Sequence, residues 1–310
     1  MRPTLDLPRR SFLAAGAAAL VSSPACAAPF FQRTRLPIGL QLYTLGPDAG
    51  KDLDATLAAV AKIGYRDVEL PGFMGCKPAE LRAALDKAGL TCRSAHIQPR
   101  GGFDGDLAKL VDDLATIGVK NAVAPSPYVP EHALKAAAGA GADSYRKMTA
   151  ALSADDYKMN ADLLNRTGAA LKKAGIAVGY HNHNFEFAPK GDTNGLEILL
   201  KNTDASLVTF EADVGWMAAA GVDPLPYIQK HKGRFTLMHV KDIKASTKPN
   251  FELRMDPTEV GSGRLDWKRL LSGAHAAGVR YFYVEQEPPF ERPRLEAARL
   301  CHDFLARLNA

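Results

Sequence analysis

From residue 36 onward, short apolar runs alternate with longer segments in which apolar positions recur every three or four residues. Runs of the first kind predict buried strands and segments of the second kind predict amphipathic helices. Leu36–Tyr43 predicts a strand, and Leu53–Ile63 a helix closed by Gly64. Tyr65–Leu70 is a second strand, Pro78–Ala88 a helix stopped by Gly89, and Thr91–Ile97 a third strand. Leu107–Ile117 follows as a helix capped by Gly118, then Asn121–Ala124 as a fourth strand. The segment 125–154 is rich in Ala, Gly and Pro and too long for an idle connection, which makes it a candidate lid or rim element. Asp155–Ala174 is the longest helix. It leads into Gly175–Phe187, where a period of two sets His181 and His183 on one face of a fifth strand.

The second half keeps the rhythm. Helices are expected at Leu196–Lys201, Asp223–His231, Trp267–Ala277 and Glu296–Leu308, and strands at Leu207–Asp213, Phe235–Val240 and Arg280–Glu285. Eight strand–helix pairs with mostly apolar strands predict a closed (β/α)8 TIM barrel as a single α/β domain. No glycine-rich GxGxxG turn follows the first strand, as a doubly wound nucleotide-binding sheet would require.

Chemistry gathers at the carboxyl ends of the strands in such a barrel. Here those ends carry Glu69, His96, His181, Asp213, His239 and Glu285. Glu211 shares a face with Asp213, Lys241 with His239, and Glu287 with Glu285. Imidazole and carboxylate donors from four strands suit one divalent ion. Mn²⁺ is the leading choice, with Zn²⁺, Co²⁺, Fe²⁺ or Mg²⁺ as the others. The plain reading of each residue is a hydrogen-bonded or ion-paired side chain, and it is the convergence that favours a site.

The first residues change the picture of where the chain works. Pro8–Val21 reads PRRSFLAAGAAALV, twin arginines before a short apolar run, and Ala25-Cys26-Ala27 offers a small-residue cleavage site. Residues 1–28 therefore predict a twin-arginine signal peptide, with the barrel at 29–310 and a periplasmic location. The run is too short to span a bilayer. Lipid anchoring at Cys26 is the lesser alternative, because Ser23-Pro24-Ala25 is a poor lipobox. Three cysteines remain, Cys76, Cys92 and Cys301, with no CxxC spacing, so neither a disulfide framework nor a zinc knuckle is expected.

The chain has 310 residues, 46% of them hydrophobic, and a formal charge of +5. Arg2, Arg9 and Arg10 against Asp6 place two of those charges in the leader. The remainder is too mild to argue for a nucleic-acid partner.

The leader, GLQLYT, HNHNFEF, DVGWM, HVKD, EVGSGRLDW and VEQE together resemble the sugar phosphate isomerase/epimerase family of xylose isomerase-like TIM barrels. The resemblance covers nearly all of the mature chain. It implies one divalent metal held from strands five to eight, with Asp213, His239 and Glu285 matching three family ligands. Spacing from Asn184 and Glu186 places His181 where the family has a glutamate. A symmetric two-glutamate epimerisation is thereby in doubt. What the resemblance still implies is proton removal next to a carbonyl through an enediolate, by an isomerase, epimerase, lyase or hydratase acting on a sugar, 3-oxo-sugar or polyol.

On that reading Glu285 is the first choice of base and His181 the second, with Lys241 neutralising a developing oxyanion. His96, His183, Glu186, Glu69, Trp216 and Tyr43 are expected to contact substrate. Asp242 is expected to orient His239 or cap the next turn. Two other functions remain in view: a metal-dependent hydrolase of the endonuclease type, and a sugar-binding protein without turnover. Homo-oligomerisation is left open.

Overall fold

The computed structural model describes residues 28–310; the expected leader lies outside them apart from its last residue. Eight parallel strands close into a barrel: β1 Gly39–Gln41, β2 Asp67–Leu70, β3 Thr91–His96, β4 Asn121–Ala124, β5 Ala177–His181, β6 Val208–Asp213, β7 Phe235–Val240 and β8 Tyr281–Val284. β1 pairs with both β2 and β8, so no edge is left unpaired. Around it lie α1 Leu53–Ile63, α2 Pro78–Ala88, α3 Leu107–Ile117, α4 Ala154–Leu171, α5 Gly195–Asn202, α6 Pro224–Lys230, α7 Trp267–Ala277 and α8 Arg294–Arg307. The expected single-domain (β/α)8 barrel is the observed fold.

Side-chain chemistry starts these helices. Asp52, Asp106, Ser153, Asn194, Asp223 and Asp266 each accept a backbone N–H of the first turn. Two expectations shift. The first strand was expected to reach Tyr43, but the Gln41 side chain accepts from the Tyr43 N–H and turns the chain into a 3₁₀ helix at Leu42–Leu45. After β6, Asp213 caps a short helix at Val214–Ala219 that the sequence reading omitted. The segment 125–154 folds into two short helices, Glu131–Ala136 and Ser144–Ala150.

Inside the barrel, polarity is layered. A lower layer contains Val123, Leu237 and Tyr283, all buried. Gly39 makes room for it, since a Cβ there would sit 2.4 Å from the Tyr283 ring. Above this layer the inward positions are Gln41, Glu69, Ser94, Glu211 and His239, each fully buried. Pairing skips Arg93 beside Glu69 and Thr236 beside Glu211, so both register irregularities fall next to a buried glutamate.

Low in the barrel, Asp67 accepts from Thr91 Oγ1 at 2.8 Å and Tyr283 Oη at 3.3 Å, with Arg93 at 3.6 Å. Burial nevertheless pushes its carboxyl up to about 6, with Thr91 and Arg93 only partly offsetting it. The folded state therefore holds this proton more tightly than the unfolded chain. The resulting stabilisation is complete below the ordinary aspartate value and is lost as pH rises toward 6. Relative to Asp67→Asn, wild-type stability in urea denaturation should fall by roughly 2 kcal/mol between pH 4.5 and 7.5. A difference that stays flat would show that the proton is not held.

Candidate active site

The strand ends converge on one cluster beneath a cavity of about 350 Å³ at the barrel mouth. At its centre stands His239 of β7, fully buried. Its Nε2 lies 2.6 Å from Glu69 Oε2 and 3.2 Å from Glu211 Oε2; its Nδ1 lies 2.9 Å from Glu285 Oε2 and 3.6 Å from Asp213 Oδ2. Burial would lower the His239 pKa, but Glu211 and Glu285 raise it well above the ordinary histidine value. Without a metal the ring therefore carries a proton on each nitrogen, Nε2–H toward Glu69 and Nδ1–H toward Glu285 and Asp213; a bound cation would replace the Nδ1 proton. Glu69 is fixed in turn by Gln41 Nε2 at 2.8 Å and by a short bond from the Ser94 hydroxyl.

Donor atoms of Asp213, His239 and Glu285 lie within 4.8 Å of one another, and so, as a second group, do those of His96, His181, Glu211 and His239. Three of the four expected metal ligands are thus brought together. His181 stands between the groups, with Nε2 at 4.0 Å from Asp213 Oδ2 and Nδ1 at 3.3 Å from Glu211 Oε2.

The donors suit a cation. Asp213 Oδ1 is committed to the Trp216 N–H at 2.8 Å, while Asp213 Oδ2 and His239 Nδ1 are buried without a well-formed hydrogen bond. Facing Asp213 Oδ2 is the Lys241 ammonium at 2.7 Å, which also lies 2.7 Å from Glu285 Oε2 and 2.6 Å from Glu287 Oε1. Lys241 therefore pairs with Asp213, Glu285 and Glu287, and not with Glu211.

The electrostatics divide the residues. Burial would raise the Glu285 carboxyl, but Lys241 and His239 hold it well below the usual range. Burial, reinforced by Glu69, pushes Glu211 up to about 7. Burial, then the His239 charge, pulls His181 well below the ordinary histidine value, and burial with Lys241 takes His183 to about 3. Both imidazoles are neutral near pH 7.

Among the expected substrate contacts, His96, His183, Trp216 and Tyr43 line the cavity, as do His181 and Glu285. Tyr43 is half exposed at the mouth because the 3₁₀ turn lifts it off the strand. Two expectations are corrected. Glu69 lies under the floor, fully buried, with both oxygens committed to Gln41, His239 and Ser94. Glu186 is also fully buried and off the cavity: it accepts from Tyr180 Oη at 2.7 Å and the His183 N–H at 2.8 Å, and so braces the turn after β5. Asp242 closes the loop after β7 by accepting from the Gly261 and Gly263 N–H groups and from Trp267 Nε1 at 2.7 Å.

Other lining residues escaped the sequence reading. Tyr145 reaches the cavity from the helix Ser144–Ala150, and Leu253 from the loop between the paired segments Asp242–Ile243 and Pro257–Thr258. Neither carries a local signal. Glu287, which the sequence reading set on one face with Glu285, also lines the cavity and accepts from Trp216 Nε1 at 3.0 Å.

The model of the xylose isomerase-like TIM barrel family matches residues 57–307. The chain belongs to that family. A solved sugar phosphate isomerase/epimerase from Parabacteroides distasonis is 27% identical to it, with a TM-score of 0.69 over 92% of this chain and 96% of that one. Inosose dehydratases from Clostridium beijerinckii and Lactiplantibacillus plantarum are 26% and 28% identical over 152 and 156 residues, covering 45% and 46% of this chain and 50% and 51% of theirs. The chain thus spans about half the length of the curated relatives it matches.

In this family member the buried charges compensate one another, so removing the single ammonium has a defined cost. In the presence of EDTA, Lys241→Met should lower unfolding free energy by about 3–5 kcal/mol, because three carboxylates lose their cation. A loss below about 1 kcal/mol in urea denaturation would show that these carboxylates are not held as ions in the folded state.

Proposed function

We propose that this chain is a divalent-metal-dependent enzyme that isomerises, epimerises or dehydrates a sugar or a ketone-bearing polyol. The observation that carries the reading is the convergence of Asp213, His239 and Glu285 directly beneath a cavity that only Glu285 of the three lines. The likeness to a sugar phosphate isomerase/epimerase and the partial matches to inosose dehydratases support the substrate class. Export to the periplasm, argued from the twin arginines Arg9 and Arg10, belongs to the same proposal.

Asp213, His239 Nδ1 and Glu285 are the residues that would hold the metal, with His181 as the fourth donor. Once bound, such an ion supplies electrophilic polarisation of a substrate carbonyl or hydroxyl. The chain's own residues do the rest. Glu285, kept ionised by Lys241 and His239, takes the proton from the carbon next to the carbonyl, and the electron pair moves into an enediolate. His181, a neutral imidazole on the cavity wall, is the second candidate for that transfer. The Lys241 ammonium offsets negative charge as it develops. His96 and His183 offer ring nitrogens to hydroxyls, and the Trp216 ring gives a flat wall for the C–H face of a sugar.

A phosphodiesterase of the endonuclease type fits less well, since it requires a basic groove. The anionic cluster around one lysine is the opposite. The binding-protein alternative is separated by turnover.

Asp213→Ala and His239→Ala should each reduce the metal-to-protein ratio of purified protein to about a tenth of wild type, measured by inductively coupled plasma mass spectrometry. Wild-type metal content in both variants would remove the assigned site. Glu285→Gln should slow exchange of a carbon-bound substrate proton in D₂O by at least ~10²-fold, the usual worth of a positioned base. Glu287→Gln, run alongside, should slow it less. Full exchange in Glu285→Gln would move the base to His181 or Glu287.

A further inference from the structure

The cavity at the barrel mouth does not end at its own wall. Pro71, His96 and Gln98 also line a second cavity of about 460 Å³, which opens between the loops that follow β2 and β3. These three residues are where the two cavities adjoin. A ligand seated over His181 and Glu285 can therefore continue past Gln98 into the neighbouring space. Ligand pockets typically run from ~300 to ~1,000 Å³. The first cavity alone is at the small end of that range, suited to one sugar ring.

The lining of the second cavity tells what it takes. One side is apolar, made by Phe73, Ile97 and Leu110. Gly101 adds bare backbone to the lining, with nothing within 4 Å of where a Cβ would stand. The charged residues cancel, two cations against two carboxylates: Lys109 is paired with Asp113, Asp106 caps α3, and Arg100 lies over the Tyr128 ring while donating to the Val129 carbonyl at 2.8 Å. Such a space offers no net charge to select a phosphate or a carboxylate. It does offer Gln98, exposed where the cavities meet, whose carbonyl accepts from the Phe103 N–H while its side-chain amide has no hydrogen-bond partner among the described residues.

Resting on the reading that the first cavity turns over a sugar-like ketone, we propose that the second cavity is a subsite for a neutral ring attached to the reacting ring. The substrate is then a two-ring glycoside rather than a free monosaccharide or a sugar phosphate. Phe73 provides the apolar platform, and Gln98 bonds the oxygen that bridges the two rings or a hydroxyl beside it.

The test compares methyl, phenyl and glucosyl glycosides of one 3-oxo-hexose on the metal-loaded full chain, by calorimetric binding and by proton exchange in D₂O. The phenyl or the glucosyl compound should bind roughly tenfold tighter than the methyl compound, about 1.4 kcal/mol. Which of the two gains more tells an aryl aglycone from a second sugar. Phe73→Ala, checked for an unchanged melting temperature, should reduce that advantage to under about threefold. Equal affinity of all three ligands for wild type overturns the subsite, as does an advantage that survives Phe73→Ala intact. The two readings fail separately. Exchange on every ligand with equal affinities overturns the subsite and leaves the chemistry. Tighter binding of a two-ring ligand with no exchange on any overturns the chemistry and leaves the subsite.

Discussion

Four buried carboxylates within reach of one imidazole are the constraint on which the barrel mouth depends. Glu69, Glu211, Asp213 and Glu285 all approach His239, and an unpaired charge at such depth would cost several kcal/mol. Their compensation is shared and uneven. Glu69 takes the His239 ring, an amide and a hydroxyl; Glu285 takes Lys241 and the other ring nitrogen of His239. Glu211, left with shared partners, is pushed up to about 7 and faces neutral His181. The two sides of His239 thus become different places: a hydrogen-bonded floor at Nε2, and at Nδ1 a meeting point with Asp213 and Glu285 beneath the cavity.

That division explains how the walls could become specialised. With the floor locked by strand residues, the cavity is finished by parts outside the barrel: Tyr145 from the segment between β4 and α4, Leu253 from the loop after β7, and Tyr43 from the 3₁₀ turn after β1. Asp242 ties the Leu253 loop to α7 through Trp267, and Asn184 bonds Asn250 at 3.0 Å, so this wall is anchored at both sides. Family membership fixes the barrel and leaves these walls, and the second cavity beside them, to set what is bound.

Much of this was legible in the chain. Six elements, Leu53–Ile63, Pro78–Ala88, Leu107–Ile117, Asn121–Ala124, Phe235–Val240 and Trp267–Ala277, have the bounds that apolar periodicity and capping residues predict. The expected metal donors Asp213, His239 and Glu285 meet because strand order and a period of two suffice to aim them. Glu69 and Glu186 were misread because the sequence places a residue on an inward face without revealing how deep it lies. Glu186 turns away from the cavity to hold Tyr180 and the turn after β5.

By itself, then, the sequence determined the order of strands and helices, the closed barrel and the group of strand-end donors, since these follow from local periodicity repeated eight times. Only the tertiary structure decided which carboxylates form the floor and which face the cavity, that Lys241 pairs with Asp213, Glu285 and Glu287, and that Tyr145 and Leu253 complete the wall. Those outcomes depend on register shifts between neighbouring strands and on contacts between segments well separated in the chain. The distance between Glu69 and His239, 170 positions apart in the chain and 2.6 Å apart in the barrel, has no local signature.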